Sequence, residues 1–123
     1  MSWARGRNKF NAVPVSEGDL HFDSTGEYER YKTLELMERA GEIQGLTLHP
    51  KVELEPGVAW KLDYDYQENG RRVVEDFKPR PFTPRENLLV KLWRLHGPCL
   101  LRFTQRGRRG TFTVRKEIMG GGK

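Results

Sequence analysis

The chain has a single cysteine, Cys99, so no internal disulfide can form and the fold must hold without a covalent cross-link. Cys99 lies in the apolar run Cys99-Leu-Leu-Arg-Phe103 and reads as a small buried hydrophobe. No apolar stretch approaches the ~20 residues needed to cross a bilayer, so no membrane span is expected. The opening Met-Ser-Trp-Ala-Arg-Gly-Arg-Asn-Lys lacks a hydrophobic signal core, and a reducing cytoplasm is the expected location. No internal repeat is visible. What the sequence has in quantity is charge. Of its 123 residues, 32% are charged, and the formal net charge of +5 points to a polyanionic partner, most simply nucleic acid. The length suits one domain, 1–123, with a real core.

Residues 1–9 read as a flexible basic arm whose Arg5, Arg7 and Lys9 could meet phosphates. Phe10 to Phe22 suggests a small hairpin turning at Ser16-Glu-Gly-Asp19. A helix is predicted from Asp23-Ser24 to Gly41, with Ser24 as N-cap, Glu27 closing a capping box, and Tyr31, Leu34, Met37 and Ala40 on its apolar side. Leu46-Thr-Leu48 and Val52-Glu-Leu54 are short strands broken at His49-Pro50, and Pro56-Gly57 is a turn. A second helix opens with Thr83 as cap, Pro84 at its first position and Glu86 completing another capping box. Its apolar stripe is Leu88, Leu89, Leu92, Trp93 and Leu95, and Gly97-Pro98 ends it. Leu100 to Phe103 reads as a buried strand, Arg106-Gly-Arg-Arg-Gly110 as a turn, Thr111 to Arg115 as an edge strand, and 117–123 as a disordered tail. This order predicts an α/β or α+β domain with a mixed sheet between helices.

The sharpest local signal is Asn69-Gly70, set between the alternating runs Trp60-Lys-Leu-Asp-Tyr-Asp-Tyr66 and Arg72-Val-Val-Glu-Asp-Phe-Lys78. Asn-Gly between two such runs marks a two-residue hairpin. Counting outward, Tyr66 opposes Val73, Tyr64 opposes Glu75, and Asp63 opposes Asp76. Alternation then puts Leu62, Tyr64, Tyr66, Val73, Glu75 and Phe77 on one face. Lys61, Asp63, Asp65, Asp76 and Lys78 share the other. Two carboxylates directly opposite repel, and a divalent cation between them would relieve that. Neutralisation by Lys61 and Lys78 is the weaker alternative, and a solvated polar face is the plain one. Asp65 could replace Asp63 as a ligand, and Glu75 should pair with a basic group.

Asp76-Phe-Lys78, with Asp63 across the ladder and a glutamate on the preceding helix, resembles the PD-(D/E)XK nuclease superfamily. Leu62 stands where that superfamily's Pro-Asp dipeptide has proline. Phe22-Asp-Ser-Thr-Gly-Glu27-Tyr-Glu-Arg-Tyr31, Ala40-Gly-Glu-Ile43, Leu48-His-Pro-Lys51 and Val73-Val-Glu-Asp-Phe-Lys78 are similar to the signature of a phage-borne family of small nuclease-like proteins. His49 stands where that family more often has glutamine. Layout and size also resemble archaeal Holliday-junction resolvases, dimeric members of the superfamily. The resemblance implies a restriction-endonuclease-like core and an active site of Glu27, Asp63, Asp76 and Lys78. Asp63, Asp76, Glu27 and the Phe77 carbonyl would hold Mg²⁺, with Mn²⁺ able to substitute. It further implies a homodimer that cleaves four-way DNA junctions in a host cytoplasm. The apolar side of the second helix around Trp93 or an exposed edge strand would form the dimer interface. Arg80 and Arg85 beside the site, Arg106, Arg108 and Arg109 at a hairpin tip, and the basic arm would contact DNA, since the guanidinium fork suits phosphate. Rival readings are a nickase, flap or restriction-type nuclease of the same superfamily, or a non-catalytic DNA-binding module on the same fold.

Overall fold

The computed structural model of the chain describes residues 13–122. Among them the elements run β1 (Val15–Glu17), β2 (Leu20–Phe22), α1 (Thr25–Arg39), β3 (Gln44–Leu48), β4 (Lys51–Glu55), β5 (Val58–Lys61), β6 (Tyr64–Glu68), β7 (Arg71–Phe77), α2 (Pro84–His96), β8 (Leu100–Arg106) and β9 (Phe112–Met119). A single 3-10 turn, Arg108–Gly110, joins the last two strands. The basic arm with Arg5, Arg7 and Lys9 lies outside the described residues, as does Phe10 of the first hairpin.

The domain is α+β. One mixed sheet has the strand order β3-β6-β7-β8-β9, and β1–β2 and β4–β5 are separate two-stranded ribbons. Only β7 and β8 run parallel, because α2 carries the chain back between them. Asn69 and Gly70 adopt φ of 54° and 77°, the left-handed pair that a tight hairpin needs. The turn fixes the register, with Tyr66 opposite Val73 and Tyr64 opposite Glu75.

β7 is buried from Val73 to its end because both faces of the sheet are covered. On one face Tyr64, Tyr66, Val73 and Phe77 pack with Leu34 of α1 and with Ile43. On the other, Val74, Leu101, Phe103 and Ile118 meet Leu89, Val90 and Trp93 of α2, together with Val52, Leu54 and Trp60 of the β4–β5 ribbon. The face that carries Asp76 is therefore roofed by α2 rather than bathed in water.

Four expectations are corrected. Trp60 to Tyr66 is not one strand: β5 pairs with β4 across the Pro56-Gly57 turn, and the chain changes sheets at Leu62-Asp63. Two hydrogen bonds hold the break, Leu62 N–H to the Pro50 carbonyl and His49 N–H to the Asp63 carbonyl, each 2.9 Å. Leu62 consequently packs on the α2 side, away from Tyr64 and Tyr66. The α2 stripe is also split. Trp93 is fully buried and cannot form an interface, whereas Leu88 and Leu95 are exposed. Ala40, expected on the apolar side of α1, is exposed. Finally, residues 117–119 belong to β9, and the glycines beyond them are docked. Gly120 N–H donates to the Cys99 carbonyl at 3.0 Å and Gly122 N–H to the Gly97 carbonyl at 2.9 Å. A Cβ at Gly120 or Gly122 would sit 2.2 or 2.4 Å from a carbonyl oxygen of Gly97 or His96, so only glycine can lie this close to the end of α2.

Candidate active site

Glu27 sits in the first turn of α1, where Ser24 caps the helix by accepting from the Glu27 N–H at 3.1 Å. The carboxylate does not return to the cap residue as a reciprocal capping box would require. Its Oε1 accepts from the Asp23 N–H at 3.2 Å, and its Oε2 lies 3.4 Å from His49 Nε2. The Tyr64 hydroxyl donates to the Glu27 carbonyl at 2.6 Å and ties the helix start to β6. Gly26 makes this approach possible: a Cβ there would stand 2.6 Å from the Phe77 ring. Glu27 is 5% exposed and points into the end of the sheet.

Asp63 reaches the same place because the chain is changing sheets. Its backbone N–H donates to the Glu75 carbonyl at 3.2 Å, and its Oδ2 accepts from the Phe77 N–H at 2.8 Å. The side chain thus takes a ladder donor of β7 at the point where the β6 ladder stops. Asp76 follows Val74 on the α2 side, and its carboxyl group borders the same cleft as that of Asp63 and acts on it as a like charge. Lys78, just beyond β7, is anchored by its N–H to the Thr104 carbonyl at 2.7 Å. Its Nζ lies 3.3 Å from Asp76 Oδ2 and 2.5 Å from Glu86 Oε2.

Electrostatics follow from this crowding. Burial pushes the Asp63 carboxyl well above the ordinary aspartate value of 3.8, and the charges of Asp76 and Glu27 push it further. Burial also raises Asp76, against the opposing pull of the Lys78 ammonium. Glu27 is raised by burial and by Asp23, against its hydrogen bonds to the Asp23 N–H and to His49. Glu86 behaves oppositely. Burial would raise it, but hydrogen bonds from Arg80, Lys78 and the Thr83 N–H hold it down at about 2.

The donor set fits a hard divalent cation. Three carboxylates, of Glu27, Asp63 and Asp76, border one cleft and offer only oxygen, the donor that hard divalent cations take. Among the described residues no three His, Cys, Asp or Glu side chains form a ready-made cage. Mg²⁺ does not require one, since it is commonly held by one or two carboxylates with water and substrate oxygens completing the shell. Glu27, Asp63, Asp76, Phe77, Lys78, Lys61, Arg80 and Glu86 border one open cleft of about 490 Å³.

The other expected positions are spread more widely. Arg80 donates to Glu86 at 3.0 and 3.2 Å, at the mouth of the cleft. Arg85 is exposed on the first turn of α2. Arg106 pairs with Glu29 of α1, while Arg108 and Arg109 are exposed on the 3-10 turn, Arg109 at φ 55°. Asp65 is engaged by Arg72 at 2.7 Å and stands outside the cleft. Glu75 is fully buried and meets its basic group, accepting from Arg30 Nε at 2.6 Å and Nη2 at 3.0 Å, with the Tyr66 and Thr104 hydroxyls on the same carboxylate. Glu86 was legible only as a helix cap, and its grip on Lys78 depends on how α2 meets the end of β7.

Residues 7–108 match the profile of a family described as "Protein of unknown function (DUF1064)". The chain belongs to the DUF1064 family. No curated protein and no solved structure matches this DUF1064 chain. The match spans Glu27, Asp63, Asp76, Lys78 and Glu86, so the whole cleft lies within the family's shared region.

Proposed function

We propose that this DUF1064 protein is a metal-dependent endodeoxyribonuclease of the PD-(D/E)XK type with a restriction-endonuclease-like core, selective for branched DNA and acting as a Holliday-junction resolvase. The observation that carries the reading is the gathering of the Asp63 and Asp76 carboxyl groups in one cleft, at the end of β7 and beside Lys78 and Glu27. Mg²⁺, or Mn²⁺ in its place, would be held by Asp63 and Asp76, with Glu27 and the Phe77 carbonyl as further oxygen donors. Such an ion supplies a water of lowered pKa and neutralises charge at the phosphate. Lys78 orients the attacking water or stabilises the charge that develops, and Glu86 holds the amine in place. His49 backs Glu27 and fixes its carboxylate. A four-way junction needs two symmetric cuts, which calls for a two-fold dimer. The net charge of +5 and the exposed Arg85, Arg108 and Arg109 suit a DNA partner.

The test is a gel assay of a labelled four-way junction and a matched linear duplex, with and without Mg²⁺. We expect symmetric cleavage of the junction only, dependent on the ion. Asp63→Asn should abolish cleavage and retain junction binding, because a carboxylate that repels phosphate is gone. Equal cutting of linear duplex would move the protein to a restriction- or nickase-type activity. Intact substrates under every ionic condition would leave a non-catalytic DNA-binding module.

A further inference from the structure

A second like-charge clash lies beside the carboxylates and has the opposite sign. Lys51 and Lys61 are direct partners across the β4–β5 ribbon. Opposed side chains there stand about 5 Å apart at Cβ, and like charges in that position destabilise the pair. Both lysines are exposed, and among the described residues neither has an ion-pair partner. Glu53 follows Lys51 on the same face of β4 without bonding to either. Lys61 is two residues before Asp63 and borders both clefts that flank it, the one of about 490 Å³ and a second of about 290 Å³ lined by His49, His21 and Asp23.

We infer that Lys51 and Lys61 form a phosphate seat that carries the DNA strand past the carboxylates. This rests on the nuclease reading and adds to it the track the strand follows. The two defects are complementary, because carboxylates crowded into one cleft call for a cation and lysines opposed across a ribbon call for an anion. A phosphodiester strand accompanied by a divalent ion answers both at once. The seat also explains why the sheet change at Leu62-Asp63 matters: it turns the end of the β4–β5 ribbon toward the end of β7, so Lys61 and Asp63 border the same clefts.

The experiment is binding of a fluorescent four-way junction to the full chain in EDTA, followed by anisotropy over a salt series. Variants are Lys51→Gln, Lys61→Gln, the double variant, and Lys91→Gln, an exposed lysine on α2 rather than on the ribbon. Each seat lysine should lower the log–log salt slope by about 0.9 and weaken binding about fivefold at moderate salt, whereas Lys91→Gln should do less. Thermal unfolding should show the double variant at least as stable as the parent, since a repulsion has been removed. Seat variants that bind like Lys91→Gln, with an unchanged slope, overturn the inference while leaving the nuclease reading standing. A lower Tm in the double variant also overturns it, by placing the pair in the service of the fold. A parent protein that binds no DNA overturns this inference and the nuclease reading together.

Discussion

Glu75 and Glu86 are both buried or half-buried acids near Asp76, yet they serve different ends. Glu75 lies between Arg30, Tyr66 and Thr104 with every carboxylate oxygen engaged, inside the core on the α1 side. Glu75→Gln keeps the shape but leaves the Arg30 guanidinium without its counter-charge. Breaking a buried pair in this way costs about 3–5 kcal/mol, measurable by urea unfolding. A loss below about 1 kcal/mol would mean that water or Tyr66 compensates the arginine. Glu86→Gln is the contrasting case. Glutamine can still close the capping box with Thr83, so the helix start is kept and only the charge pairing with Lys78 and Arg80 is lost. Lys78 then turns wholly to Asp76 and competes with the cation. Affinity for Mn²⁺ should fall about tenfold by calorimetry, the usual scale for losing a group that orients a ligand. Unchanged affinity would reduce Glu86 to a helix cap. Sequence alone predicts that Glu75 meets a base, because an acid among Tyr64, Tyr66, Val73 and Phe77 cannot stay unpaired. It does not reveal which base, since Arg30 is 45 residues away and only the packing of α1 on the sheet brings it there.

At the level of elements, the site exists because three chain segments end at one place: the first turn of α1, the gap between β5 and β6, and the last residues of β7. The hairpin register was legible because Asn69-Gly70 leaves the two strands one way to pair. The gap was not, because Trp60 to Tyr66 alternates without interruption and a strand that changes sheets keeps its period. The helix start was legible in Ser24, but the space for it was not. Gly26 is the contact, with room for no side chain before the Phe77 ring. Gly26→Ala should push α1 off β7, costing about 1–3 kcal/mol by overpacking and weakening Mn²⁺ binding as Glu27 withdraws. Phe77→Leu added to Gly26→Ala should restore part of both, as a double-mutant cycle would read. Additive effects of the two changes would place the strain elsewhere.

Across the whole molecule, a chain of net charge +5 holds a crowded acidic centre, and that centre should write itself into the pH dependence of stability. Asp63, Asp76 and Glu27 have raised values in the folded chain, so above the ordinary aspartate value of 3.8 the folded state binds more protons than the unfolded one. Their contribution is complete below that value and is lost as pH rises through the raised ones. Glu86, held at about 2, works the other way: its contribution is present above the ordinary glutamate value and is lost as pH falls toward about 2. The cation-free protein should therefore lose stability at the carboxylate centre as pH rises above about 4. Asp63→Asn removes the group raised furthest, so its Tm in EDTA should exceed the parent's by a margin that widens across that range. Mg²⁺ should reverse the order. It should raise the parent's Tm more at pH 7 than at pH 4, because binding must displace the protons that the raised carboxyl groups hold at low pH, and it should leave the variant nearly unchanged. A Tm difference independent of both pH and Mg²⁺ would mean that the Asp63 carboxyl is not held above its ordinary value and that the cleft holds no ion.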